Sequence, residues 1–579
     1  MSYLGVTESL TGRSWVGPLP ETDRAAEAMA QITGLPRPVC AILARRGVPA
    51  AEAERFLEPT LKDLLPDPRK LRDMERAAAR FLLAVRRRER IAIFADYDVD
   101  GGSSAALLIS WLRDMGLSAH LYVPDRIDEG YGPNPAAMSD LAQAHDLILC
   151  VDCGTLSHEA LAAAADADVV VLDHHLGGET LPPALAVVNP NRQDESGELG
   201  YLCAAAVVFL MLVEAGRQMR EAGTKGPDLI ALLDLVALAT VADVAPLIDA
   251  NRALVRQGLK VMARRARPGL VALADVARMD TAPTPYHLGF LLGPRVNAGG
   301  RIGKADLGAR LLATADKNEA EAFAERLDAL NTERREIEAA VRAAAMAQAD
   351  ARGLDAPLVW AAGEGWHPGV VGIVAARLKE ATGRPAVVIG LDGDEGKGSG
   401  RSIPGVDLGA AVQKLARDGL LLKGGGHKMA AGLTLSRDRL DEAMAALSAQ
   451  MARQGAGRSG AGALKLDGTL MPGAATVPLL EQLEAAGPFG ASAPAPRFAL
   501  PGLTVRYAKP VGESHLKLSL ADGAGGGIDA IAFGAFEGPL GAALQPGQRF
   551  HMAGRLEINS WGGRQSVQLR IEDAARADG

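Results

Sequence analysis

The chain is poor in cysteine, in long apolar runs and in positive charge. Four cysteines in 579 residues rule out a disulfide-built scaffold and fit a reducing compartment. Cys150 and Cys153 form a Cys-x-x-Cys pair, but Cys40 and Cys203 stand alone. A zinc site would need a second such pair, so these are read as small apolar residues near a strand end. The longest apolar run, Leu202 to Val213, is too short to cross a bilayer, and the next, Leu229 to Val241, is broken by Asp234. Met1 to Trp15 has no basic stretch followed by an apolar one, so no secretory signal, no membrane partner and a cytoplasmic location are expected. The net charge of −8, from 62 Lys+Arg against 70 Asp+Glu, gives no general basic surface for nucleic acid. Any polyanion site must therefore be local, with metal ions supplying part of the positive charge.

What is present is an acidic cluster. Asp96, Asp98 and Asp100 alternate along Asp-Tyr-Asp-Val-Asp-Gly, directly after the apolar run Ile91 to Ala95. Three like charges this close repel one another unless cations hold them. Asp-x-Asp-x-Asp-Gly also opens a calcium-binding EF-hand loop, which needs a preceding helix and a Glu at loop position 12. That position is Leu107, and the preceding segment reads as a strand. The cluster is instead a set of hard oxygen ligands where a strand turns into a helix.

The surrounding pattern is α/β. Apolar runs at 91–95, 120–123, 147–151, 169–172 and 185–188 alternate with helical stretches at 103–115 and 156–165, and 202–265 reads as helical. This predicts a doubly wound parallel sheet. Each strand is followed by polar residues: Asp96 to Asp100, Pro124-Asp125-Arg126, Asp152, Asp173-His174-His175, and Asn189-Pro190-Asn191. Ligands of open α/β sheets bind at the carboxyl ends of the strands, so these groups converge on one crevice. A long helix over 315–352 follows, with Phe323, Leu327, Leu330, Ile337, Val341 and Ala344 on one stripe. Residues 353–455 predict a second α/β domain, with glycine-rich turns at 396–400 and 424–426. Gly390 to Gly398 nearly matches a P-loop, but its spacing is wrong and Gly398 replaces the magnesium-binding Ser/Thr. From 464 to 575 the apolar period changes to two over five segments, predicting a small OB-like barrel with Tyr507 and Trp561 as stacking platforms for a single strand. Residues 1–75 are expected as an N-terminal extension packing on a catalytic core at 76–314.

The donors Asp96, Asp98, Asp100, Asp152, His174 or His175, and Asp243 suit Mn²⁺ or Mg²⁺ better than zinc. They exceed what one octahedral ion needs. Two ions about 3.5–4 Å apart, sharing a carboxylate, form a centre for phosphate-ester hydrolysis. The helix expected from Ser103 would add its N-terminal amides for a phosphate.

These motifs carry a resemblance. Asp-Tyr-Asp-Val-Asp-Gly (96–101), Val-Asp-Cys-Gly (151–154), Asp-His-His (173–175) and Val-Ala-Asp (241–243) resemble the four motifs of the DHH phosphoesterase superfamily. Gly424-Gly425-Gly426-His427 and Trp366-His367-Pro368-Gly369 resemble its DHHA1 companion domain. The stretches 126–132, 293–298, 398–402 and 515–518 extend the likeness to the RecJ-type exonucleases, over roughly residues 40 to 573.

The resemblance implies a single-strand-specific 5′→3′ DNA exonuclease that releases 5′-mononucleotides with two divalent ions, Mn²⁺ or Mg²⁺. It implies Asp98, Asp100, Asp152, His174 and Asp243 as metal ligands, and Asp96 and His175 as catalytic supports. It implies Arg126, Ser399 and Arg401 at a 5′-phosphate, and Arg295, Asn297, Arg301 and His427 along the DNA path. A monomer working beside a single-strand-binding protein and a helicase in repair and recombination is implied as well. The chain departs from the family at Ala95, Gly102-Ser103, Gly299 and the 488–492 loop, none of them a ligand. A phosphoesterase for small nucleotides or oligoribonucleotides and a non-catalytic nucleic-acid-binding scaffold are the alternatives. The barrel and the N-terminal part disfavour the first, and the complete ligand set disfavours the second.

Overall fold

The structure, a computed structural model, describes residues 2–125, 129–456, 462–561 and 564–577. The chain forms two compact units, residues 61–458 and residues 1–60 together with 459–579.

The larger unit begins with a parallel sheet. Its strands are β1 (Ile91–Ala95), β2 (His120–Tyr122), β3 (Leu147–Val151), β4 (Asp168–Leu172) and β5 (Ala186–Val188). Their order is β2-β1-β3-β4-β5, with every neighbouring pair parallel. β1 and β3 are buried along their whole length, which explains why they read as continuous apolar runs. The order reverses between β1 and β3, the place where doubly wound sheets bind ligands.

Register aligns the strand ends. Ala95 pairs with Val151, Val151 with Leu172, and Leu172 with Val188. The next residues, Asp96, Asp152, Asp173 and Asn189, therefore stand in one row along the carboxyl edge.

Helix α1 (Val99–Asp114) leaves this edge, and α2 (Ala204–Glu221), α3 (Leu233–Ala242) and α4 (Gly293–Ile302) pack against that helix. α1 starts four residues earlier than expected because Asp98 caps it, accepting from the amides of Asp100 and Gly101. Those amides are thus already bonded, which corrects the expectation that this helix end is open to a phosphate. Helix α5 (Lys317–Arg352) runs on to the second lobe and packs against both α4 and a later helix, α6 (Pro368–Thr382). Leu327, Leu330 and Val341 are buried on α5 as expected, but Ala345 replaces the exposed Ala344 in the stripe.

The second lobe holds β6 (Val359–Glu364), β7 (Ala386–Asp392), β8 (Glu395–Arg401), β9 (Lys423–His427) and β10 (Ala430–Ser436). Their order is β9-β10-β8-β7-β6, with only β6 and β7 parallel. The expected glycine-rich turns at 396–400 and 424–426 are strands. A side chain at Gly398 would meet Ile389 at 2.8 Å and Leu433 at 2.9 Å, so neighbouring side chains fill the space above this glycine.

The smaller unit is a barrel of β11 (Phe498–Val511), β12 (His515–Ala521), β13 (Gly527–Ala532), β14 (Arg549–Trp561) and β15 (Arg564–Arg576). Pairing runs β11-β12-β13-β15-β14 and closes through β14 and β11. Tyr507 is exposed on it, while Trp561 lies outside the residues whose side chains are described. The N-terminal extension, expected to pack on the catalytic core as 1–75, divides at residue 60. Met29, Ile42 and Leu43 join the barrel's own core. Trp15 is fully buried and donates from Nε1 to Asp573 Oδ2 at 2.9 Å. A helical, apolar segment does not reveal from its sequence which core it will join.

Candidate metal centre

Each part of the site is held by its own strand end. After β1, the backbone folds back so tightly that a side chain on Gly101 would lie 2.4 Å from the Asp96 carbonyl oxygen. Asp100 is buried, and its two carboxylate oxygens accept from the first amides of α2, Ala204 at 2.7 Å and Ala205 at 2.8 Å. This couples a helix N-terminus to an anion. After β3, Asp152 takes a left-handed backbone with φ 60°, rare for a residue other than glycine. After β4, Asp173 accepts from the Thr155 hydroxyl at 2.6 Å, the His174 amide at 2.8 Å and His175 Nδ1 at 2.8 Å. After β5, Asn189 donates to the Thr155 hydroxyl and the His175 carbonyl, both at 2.8 Å, and Asn191 donates to the His174 carbonyl at 2.6 Å.

The result is a compact cluster. His174 Nε2 lies 3.3 Å from Asp152 Oδ1 and 3.8 Å from Asp100 Oδ2, while its Nδ1 lies 3.9 Å from Asp243 Oδ2. Among the described residues three sets are close enough to hold an ion: Asp152, His174 and His175; Asp100, His174 and Asp243; and Asp96, Asp98 and Asp152. Asp152 and His174 each belong to two sets, the arrangement a pair of ions would use.

Electrostatics match. Burial, and then the carboxylates of Asp100, Asp98 and Asp96, push Asp152 well above the usual carboxylate range. Burial with Asp100 and Asp98 pushes Asp243 up to about 8. Asp100 is raised chiefly by burial, although His174 opposes the shift. Burial alone would lower His175, but the hydrogen bond and charge of Asp173 outweigh it and raise the imidazole to about 9. Asp152 Oδ1 is buried without a hydrogen bond, an expensive state for a carboxylate oxygen. Packed carboxylates and an imidazole, with one oxygen left bare, are what a hard divalent ion would complete. The fit favours Mn²⁺ or Mg²⁺. The cysteines do not contribute: Cys150 and Cys153 are buried, and burial raises both thiols.

The substrate positions divide. Arg126 lies outside the described residues. Arg401 donates to the Ser399 hydroxyl at 2.9 Å, so those two side chains stand together. His427 is exposed on β9, and Arg301 donates to the Gly369 carbonyl at 3.1 Å. Arg295 instead binds Asp328 at 2.8 Å and the Leu291 carbonyl at 2.7 Å. Asn297 Oδ1 accepts from the Val99 amide at 3.0 Å, bracing the start of α1 from behind.

Sequence reasoning gave no role to Asp173, Thr155, Asn189 or Asn191. Their signal was position, since three of the four directly follow or nearly follow a strand. Tyr131, inside the 126–132 stretch, has no expected role of its own, yet its hydroxyl lies 3.1 Å from the Asp152 carbonyl and 3.2 Å from His175 Nε2.

A doubly wound sheet with carboxylates and a histidine pair at its switch point, joined to a mixed-sheet lobe, defines a DHH-type protein. The family model described as the DHH family N-terminal domain matches residues 90–240, the DHHA1 domain 355–453 and the RecJ OB domain 466–573. The single-stranded-DNA-specific exonuclease RecJ of Dickeya dadantii is 39% identical over 93% of this chain and 96% of its own length. The crystal structure of RecJ in complex with Mn²⁺ from Thermus thermophilus superposes with a TM-score of 0.81 at 30% identity, covering 98% of this chain and 80% of that one. The complex of RecJ with Mg²⁺ from the same organism gives a TM-score of 0.72 at 27% identity, covering 98% and 79%. The chain belongs to the RecJ family.

Proposed function

We propose that this protein is a single-stranded-DNA-specific exonuclease that works 5′→3′, releases 5′-mononucleotides and serves DNA repair and recombination. The observation that carries the reading is His174 set among Asp152, Asp100 and Asp243 at the aligned strand ends, in a chain that covers 96% of the length of its Dickeya dadantii relative. Asp98, Asp100, Asp152, His174 and Asp243 would hold two divalent ions, Mn²⁺ or Mg²⁺, and Asp152 is common to two of the donor groups. Bound there, the ions supply Lewis acidity to the attacking water and to the phosphate oxygens.

The chain's own groups do the rest. Asp96, beside Asp98 and Asp152, is placed to take a proton from the attacking water. Asp173 accepts from His175 Nδ1, so Nε2, which meets the Tyr131 hydroxyl at 3.2 Å, is the ring nitrogen that would exchange that contact for a phosphate oxygen. Arg126, Ser399 and Arg401 receive the 5′-phosphate, while Arg301 and His427 line the path. Arg295 and Asn297, bonded to their own fold, brace that path from behind. A monomeric state, a cytoplasmic location, and a single-strand-binding protein and a helicase as partners go with this reading; family membership supports them. Among the described residues no helix is long and apolar enough to cross a membrane.

The test is hydrolysis of single-stranded DNA labelled at either end, in Mn²⁺. Early release of the 5′ label as mononucleotide supports the reading. Intact DNA alongside hydrolysis of a dinucleotide would contradict it.

A further inference from the structure

Helix α3 delivers Asp243 to the metal centre and closes directly after it. The Val244 amide donates to the Val241 carbonyl at 3.2 Å, and the Ala245 amide donates to the Thr240 carbonyl at 3.1 Å. This pair of bonds is the Schellman closure of a helix, which needs a left-handed residue between the last helical turn and the exit. Val244 is that residue, with φ 59°. Glycine is the usual occupant, and α6 ends that way on Gly383 with φ 67°.

Valine is a poor choice for this position. A left-handed backbone brings Cβ against the following carbonyl oxygen, and a second branch at Cβ adds to the crowding. Among the described non-glycine residues with a left-handed φ, Val244 alone is β-branched. No buried contact compensates. Val244 is 70% exposed, whereas Ala245 and Leu247 after it are buried and do the packing of this turn. Strain that the surrounding fold does not use collects at functional sites.

The site is one residue away. Asp243 Oδ2 lies 3.9 Å from His174 Nδ1, and consecutive Cα atoms are about 3.8 Å apart. The groups that face the ions are carboxylates and imidazoles. They can address phosphate and water, but a phosphodiester held there also carries a sugar on each side, whose carbon face needs an apolar partner. Leu176, next to His175, is exposed as well, but its backbone is unstrained. Only Val244 is kept against the preference of its own turn.

We propose that Val244 is a substrate contact, its methyl groups pressing on the carbon face of a sugar beside the phosphate at the ions. The inference rests on the single-strand nuclease reading above and adds a residue to it. Every nucleotide offers the same sugar, so the contact is independent of base sequence.

The experiment uses the full-length protein with Val244→Gly and Val244→Asn, since glycine and asparagine both accept a left-handed φ. Three quantities are measured: the KM for oligo-dT hydrolysis in Mn²⁺, the unfolding midpoint without metal, and the rise of that midpoint on adding Mn²⁺. Val244→Gly is expected to raise the metal-free midpoint, to keep the parent's Mn²⁺ rise and to increase KM about tenfold, the scale of a lost apolar contact. Val244→Asn is expected to show the same KM increase, and it decides alone should the glycine variant fail to fold. A KM within twofold of the parent overturns the contact. So does a loss confined to kcat, or a KM increase accompanied by a smaller Mn²⁺ rise, because Val244 would then act through Asp243. A wild-type protein that leaves oligo-dT intact in Mn²⁺ overturns the nuclease reading and the contact with it.

Discussion

His174 Nε2 stands 3.3 Å from Asp152 Oδ1, across the ends of two neighbouring strands. The contact exists because Val151 and Leu172 are in register and because Asp152 turns out of β3 at φ 60°. A non-glycine residue in that conformation costs roughly 1–3 kcal/mol and persists only where its surroundings over-determine it. Here the Asp152 amide donates to the Leu172 carbonyl at 3.0 Å, and its carbonyl accepts from the Tyr131 hydroxyl at 3.1 Å. The local geometry is held in place to aim a carboxylate.

Asp152→Ala should abolish Mn²⁺-dependent hydrolysis while single-strand binding in EDTA stays measurable. Turnover near the wild-type rate would show that Asp152 is not shared between two ions. The metal-free variant should also unfold at a higher temperature than the metal-free parent at neutral pH, since a buried, crowded carboxylate is gone.

The pH dependence has a definite sign. Asp243 rises from an ordinary value of 3.8 to about 8 in the folded state, and Asp152 moves in the same direction. Such raised carboxylates contribute stability that is full below about pH 4 and lost as pH rises through the folded value. His175, raised to about 9, adds a contribution lost over a higher range. The metal-free protein should therefore lose stability from pH 5 toward pH 8, and Mn²⁺ should raise the unfolding midpoint more at pH 8 than at pH 6. An equal Mn²⁺ shift at both values would speak against these carboxylates as its ligands.

Asn189 clamps the histidine pair without touching the ion sites. Asn189→Ala should lower kcat by about 10- to 100-fold, as lost orienting partners of metal ligands do, with little change in oligonucleotide affinity. Asn189→Asp keeps the oxygen that accepts from the Asn191 amide but loses both donated bonds, so it should be as impaired as the alanine variant. An active Asp variant would show that the clamp is not what matters.

Asn297 separates bracing from substrate contact. Its Oδ1 accepts from Val99 N, and an aspartate can do the same. Asn297→Asp should keep most activity and Asn297→Ala should lose it through kcat. An Asp variant with a strongly raised KM would instead place the Asn297 side chain on the DNA.

Much of this centre was legible in the sequence for physical reasons. β1 and β3 are buried on both faces, so unbroken apolar runs marked them, and the polar residue after each run marked the crevice. The start of α1 was misplaced because Gly101 and Gly102 look like loop residues, whereas the Asp98 cap begins the helix ahead of them. β8 and β9 were read as turns because glycine is ordinarily a turn signal. Only the register and the packing show which of these glycines are covered and which face open space. The bracing roles of Arg295 and Asn297 depend on contacts at sequence separations of 33 and 198 residues, which no local pattern displays.

The central claim is that Asp152 is shared between two divalent ions. Anomalous scattering from a crystal grown in Mn²⁺ tests it most directly. Two peaks are predicted, one beside Asp96 and Asp98 and the other beside His174, both within bonding distance of the Asp152 carboxylate. A single peak, or two peaks of which only one contacts Asp152, would contradict the account.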